Sequence, residues 1–177
     1  MLFERATTEE QQICIEEAQT LLSDTFSHSV QETCPTLHQL CRETLRLTAH
    51  SIGGLRTAAK DFSVGGGHVI PKGSTVALAH IPASLNPEFW GADPERLDIT
   101  PSNRPNELYD NDYAFTVFSH GVHKCPGQRM SMMILPCTVA ILLAKYKIKL
   151  PEKIPPLCFE RATLAQRAGP VNAEVLI

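Results

Sequence analysis

The sequence predicts an α+β chain that is mainly α. Apolar residues recur at helical spacing through TEEQQICIEEAQTLL, through PTLHQLCRETLRL and again after Gly127. A stretch of alternation turns about Gly65-Gly66-Gly67, and the C-terminal part breaks into short alternating runs that begin with KYKIKL. The 177 residues leave room for one domain, 1–177, able to bury about 70% of its unfolded surface.

Thr7 followed by Glu10 is a capping box, and Cys14, Ala18, Leu21 and Leu22 lie at helical spacing behind it, so a helix is expected from about Thr8 to Leu22. Ser23 to Thr33 is polar and patternless and reads as a loop. Pro35 suits the first turn of a second helix that gathers Leu37, Leu40, Cys41, Thr44 and Leu45 on one face. Glu43 and Arg46, three apart on its flank, can meet; without context such a pair is a solvated ion pair. From Ser51 the helical period fails at Gly53-Gly54, and KDFSVGGGHVIPKGSTVALAHI reads as a β-hairpin. Its glycines do not make a phosphate loop, which needs Gly-Lys-Ser/Thr where this chain has Lys72-Gly73-Ser74. NPEFWGADPERL is rich in turn residues. Met130, Met133, Ile134, Cys137, Ile141 and Leu142 read as the core stripe of a helix that Pro136 should bend. KYKIKL reads as a half-exposed strand with lysines guarding an edge, and the tail holds two or three further short strands.

Sixteen basic and nineteen acidic residues leave a net charge of −3, with no field for nucleic acid and no polybasic membrane patch. Six scattered cysteines without a C-x-x-C pair, and a first segment without an apolar core, suggest a reduced, intracellular chain. The longest apolar run, Met130 to Ala144, is too short and too interrupted to span a bilayer, so no membrane anchor is expected in this chain.

The chemistry concentrates in Phe118 to Gly127, FSHGVHKCPG. Pro126, read as the first residue of the following helix, sets the Cys125 sulfur just outside a helix N-terminus, where unpaired N–H groups and the helix dipole favour thiolate. Gly121 and Gly127 suit a tight turn or close approach to something flat and bulky. Two other chemistries fit parts of this stretch. His120, His123 and Cys125 could ligate zinc, but a fourth ligand at short spacing is missing. Cys125 with a histidine base could form a Cys-His hydrolase.

Phe118, Gly121, Cys125 and Gly127 fill F-x-x-G-x-x-x-C-x-G, and the chain thereby resembles the haem-thiolate cytochrome P-450 superfamily. The likeness extends to Glu43 and Arg46, which match its E-x-x-R helix, and to Ile70-Pro71-Lys72-Gly73. It implies the C-terminal haem-binding part of the cytochrome P-450 fold, in a chain well under half the usual length.

The resemblance implies haem b as cofactor, with Cys125 as axial ligand of the iron, donating electron density that helps cleave O–O. It assigns Arg56 and His123 to the two propionates, and Phe118 and Gly127 to the surroundings of the sulfur. Ser51 to Leu55 become candidate substrate-pocket residues. Glu43 and Arg46 become a buried pair completed by a second arginine, for which Arg104 is preferred over Arg96. Gln128 and Arg129 could face a redox partner. The implied reaction inserts one oxygen atom of dioxygen into a small organic substrate, in a setting such as secondary metabolite biosynthesis, with electrons from an NADPH-dependent cytochrome P-450 reductase or similar donor. No long helix with an acid-Thr pair is found, Asp24-Thr25 matching it in letters only, so no residue of the chain is assigned to catalysis. The alternative is a truncated, inactive remnant or a fragmentary gene model.

Overall fold

The computed structural model describes residues 5–23, 30–48, 51, 53–149, 151, 154–158 and 166–176. Asp24-Thr25, Ile52 and part of the tail lie outside them.

The first helix, α1 (Thr8–Ser23), begins on its capping box: Glu10 N donates to Thr7 Oγ1 at 3.2 Å while Glu10 Oε2 accepts from Thr7 N at 2.7 Å. Cys14, Ala18 and Leu21 are buried, and Leu22 turns outward. Ser23 stays helical, its hydroxyl bonded back to Thr20 O, and the stretch read as a loop contains one further helical turn, α2 (Val30–Thr33). Burial of Val30 and the bond from Cys34 N to Val30 O account for that turn, which the polar composition hid.

Helix α3 (Pro35–Leu47) starts on Pro35 at its N-terminal end, as proline's fixed φ favours. It is buried on more than one face: Leu37 and Leu40 join the core of α1, Cys41 is buried as well, and Gln39, Glu43 and Arg46 are buried among polar partners. Helix α7 (Gln128–Lys145) closes this core through Ala140, with Val139, Leu143 and Ala144 beside it.

The expected stripe on α7 is corrected by the structure. Met130, Met133, Ile134, Ile141 and Leu142 are 40–60% exposed; of the expected stripe Cys137 packs partly buried against the core, and the covered side carries Pro136 and Ala140. Small residues let α7 approach α1 and α3 closely; periodicity located a helical face without saying which face is covered. The proline read as a kink sits on the packed side, inside a helix that continues through it.

Among the described residues, four two-stranded antiparallel sheets complete the fold. The expected hairpin is β2 (Phe62–Val64) with β3 (His68–Ile70). Outside it, β1 (Gly53–Thr57) pairs with β4 (Thr75–Ala79), in register from Gly53 opposite Ala79 to Thr57 opposite Thr75. Strand β1 was not legible because two glycines break its pattern. One of them is what lets the pair form: a Cβ on Gly53 would lie 1.8 Å from Leu78 O. Three short helices, α4 (His80–Ser84), α5 (Pro87–Trp90, capped by the Asn86 side chain) and α6 (Asn106–Asp110), lead to the cysteine loop. Near the C-terminus β5 (Lys147–Lys149) pairs with β8 (Glu174–Leu176), and β6 (Leu157–Cys158) with β7 (Gln166–Arg167).

Candidate functional site around Cys125

A buried polar cluster underlies the site. Arg46 Nε and Nη2 meet Glu43 Oε1 and Oε2 at 2.6 and 2.7 Å, with both side chains fully buried. Burial at this price in desolvation requires the remaining atoms to be satisfied, and they are. Arg46 also donates to the carbonyls of Ser84, Pro94 and Arg96, and Glu43 accepts from Tyr109 Oη at 2.8 Å and Asp98 N at 3.3 Å. Burial, then the Glu43 carboxylate, push the Tyr109 phenol well above its ordinary range, so it remains a donor.

Arg104 is buried but makes no ion pair with Glu43. Its Nη1 donates to Trp90 O at 2.6 Å, and its guanidinium lies 5.5 Å from the centre of the Trp90 ring, over which Arg46 stands at 4.7 Å. The two arginines therefore share an indole. Arg96 enters through its backbone carbonyl alone.

From this cluster an aromatic series runs toward the cysteine. Tyr109 meets Phe115 edge-on at 5.2 Å, Phe115 meets Phe118 at 6.2 Å, and Phe118 O accepts from Cys125 N at 2.8 Å. The loop is tightened by positive φ at Ser119 (58°) and Gly121 (63°) and by Lys124 N bonding to Gly121 O. Pro126 is not the first helical residue: a turn from Cys125 O to Gln128 N comes first, Gly127 is the N-cap, and α7 begins at Gln128. A Cβ on Gly127 would fall 3.8 Å from Cys125 Sγ, an ordinary contact.

Arg56, Phe118, His123 and Cys125 line one open cavity of about 300 Å³, together with Ser51, Gly53 and Gly54. They come from β1 and the cysteine loop, segments more than sixty residues apart in the chain. The Cys125 thiol is exposed. Arg56 Nη1 folds back to Leu55 O at 2.8 Å, and the missing Cβ of Gly54 leaves room for it, since that atom would lie 3.2 Å from Nη1. Leu55, a candidate pocket residue, is half exposed and does not line the cavity. His80 and Thr116, joined at 3.1 Å, belong to this region and escaped sequence reasoning, because a histidine at a strand end and a threonine before the motif carry no pattern of their own. Among the described residues no group of three or more His, Cys, Asp or Glu side chains is arranged to hold a metal ion, and no helix is long and apolar enough to cross a membrane.

An exposed thiol on a glycine-bearing loop thus stands beside an arginine and a histidine on a single ligand-sized surface. Comparison with known proteins gives this arrangement its family. The cytochrome P450 family model matches residues 4–175, and the chain belongs to that family. It is similar to cytochrome P450 monooxygenase sphH of Aspergillus fumigatus (29% identity, 78% of this chain, 26% of the relative). It is also similar to human cytochrome P450 4Z1 (30%, 91% and 32%) and to mouse thromboxane-A synthase (30%, 82% and 26%). The chain spans about a quarter to a third of the length of these relatives.

Proposed function

We propose that this chain forms the haem-binding portion of a cytochrome P450 monooxygenase. The observation that carries the reading is the cavity that brings Arg56, His123 and Cys125 together. The donor set suits haem b: an accessible soft ligand for iron, two cation-capable side chains for carboxylates, and the half-buried Phe118 ring. Gly54 keeps the Arg56 guanidinium unobstructed, and His120 Nδ1, buried and without a hydrogen-bond partner among the described residues, is a polar atom left for a neighbour to satisfy. When bound, haem supplies the iron at which dioxygen is activated for insertion of one oxygen atom into a small organic substrate.

The chain's own groups then have separate tasks. Cys125 ligates, the Phe118 carbonyl holds the Cys125 amide and so fixes the sulfur's direction, and Arg56 and His123 orient the ligand through its carboxylates. The buried Glu43–Arg46 cluster holds the aromatic series on which the loop rests. Ser51, Gly53 and Gly54 leave space for substrate. Electrons come from an NADPH-dependent cytochrome P450 reductase or a similar donor, and secondary metabolite biosynthesis is the setting that family likeness favours.

A second reading, that the chain holds the cofactor weakly and oxidises nothing by itself, is favoured by the uncovered apolar face of α7. One experiment tests both. The chain is reconstituted with haem, reduced and exposed to carbon monoxide beside Cys125→Ala. A red-shifted Soret band lost in the variant supports the haem-thiolate site; a spectrum indifferent to Cys125, or no retained haem, removes it. Turnover with a reductase then separates the two readings.

A further inference from the structure

His80 opens α4 directly after β4, whose last residue, Ala79, pairs with Gly53 of β1. That register carries the imidazole to the cavity beside Gly53, Gly54 and Arg56, where it is 6% exposed. Its Nδ1 lies 3.1 Å from Thr116 Oγ1, and Thr116 is itself 7% exposed.

A buried hydroxyl needs an acceptor for its proton. The sole hydrogen-bond partner of Thr116 Oγ1 among the described residues is His80 Nδ1. The hydroxyl therefore donates, Nδ1 carries no proton, and the proton of the neutral ring resides on Nε2. Burial, and then the nearby His120, lower the His80 pKa and keep the ring in that neutral form. Nε2 has no hydrogen-bond partner among the described residues. A fixed N–H donor is thus left on a residue that lines the same cavity as Arg56 and His123.

We propose that His80 is a further binding residue of this cavity, donating from Nε2 to a carboxylate of the ligand that Arg56 and His123 hold. The inference rests on the haem reading above, in which that carboxylate is a propionate. Thr116 is then a positioning residue, acting through the tautomer it imposes.

The test compares haem with haem dimethyl ester, which lacks both carboxylate charges, by spectrophotometric titration of the wild-type chain, His80→Phe and His80→Gln. The ratio of the two affinities within one variant is insensitive to any lowered folded fraction. The wild-type chain should prefer free haem, and His80→Phe should shrink that preference about tenfold, the worth of one hydrogen bond to a charged group. His80→Gln, which keeps an N–H donor, should retain most of it. If His80→Phe discriminates as the wild type does, His80 does not bind the carboxylate and the inference falls while the haem reading stands. If the wild type binds neither compound, the haem reading falls and takes this role with it.

Discussion

Glu43 grips Arg46 through both carboxylate oxygens, 2.6 and 2.7 Å from Nε and Nη2, in a pair with no exposed side-chain surface. Deleting one member leaves the other charged and buried, so Glu43→Ala and Arg46→Ala should each lower stability by about 3–5 kcal/mol in urea unfolding. The double variant should lose less than the sum, because the stranded charge is gone. Losses below about 1 kcal/mol would mean that water reaches the pair.

Gly53 and Gly54 differ in what a methyl group would meet. At Gly53 it would strike the Leu78 carbonyl with φ at 131°, a backbone clash that only separation of β1 from β4 can relieve. Gly53→Ala should cost about 2 kcal/mol or more in thermal unfolding. At Gly54 the neighbour is the mobile end of Arg56, so Gly54→Ala should leave stability within about 0.5 kcal/mol. Its effect should be on the Arg56 guanidinium, read as weaker haem uptake.

Which parts were legible follows from where the information sits. The capping box, Pro35, the hairpin glycines and the cysteine motif are local, and each specifies backbone within a few residues. The partners of Glu43 could not be read, since Tyr109 and Asp98 reach it across more than fifty residues and neither has a pattern marking it. Arg104 was read as completing the charge set; it instead bonds the Trp90 carbonyl, a contact fixed by tertiary packing. Strand β1 was hidden by the two glycines that make its pairing possible.

His38 gives an acid-side signature. It is 6% exposed, and burial, aided by the Arg42 charge, lowers its pKa to about 4 from an ordinary 6.5. Between these values the unfolded chain takes up a proton that the folded chain refuses. Stability should therefore fall as pH drops from about 6.5 to about 4 and then level off, by at most about 3 kcal/mol for this group. His38→Gln should flatten that part of the pH profile of the urea midpoint; an unchanged slope would exclude His38 as its source.

Thiol accessibility should separate Cys125 from the buried cysteines. Burial raises Cys14 and Cys41 to about 12 and Cys34 to about 11, so at pH 8 all three remain protonated as well as covered. An aromatic disulfide reagent should give a fast phase that Cys125→Ser abolishes, with the half-buried Cys137 and Cys158 reacting more slowly and Cys14, Cys34 and Cys41 only in guanidinium. A fast phase that survives Cys125→Ser would show that its thiol is not the open one.

The outer face of α7 yields the sharpest contrast between pattern and structure. Met133 is 60% exposed and Ile134 50%, on a groove that also includes Ile141 and Cys137. If these residues formed the core stripe their periodicity suggests, Met133→Ala would cost about 2–5 kcal/mol. In the fold described here, Met133→Ala and Ile134→Ala should each change the urea midpoint by the equivalent of about 0.5 kcal/mol or less, whereas Leu37→Ala, fully buried in α3, should cost the larger amount. Met133→Lys should also reduce binding of an apolar fluorescent dye by uncovered surface. A core-sized loss at Met133 would mean that this face is covered in solution.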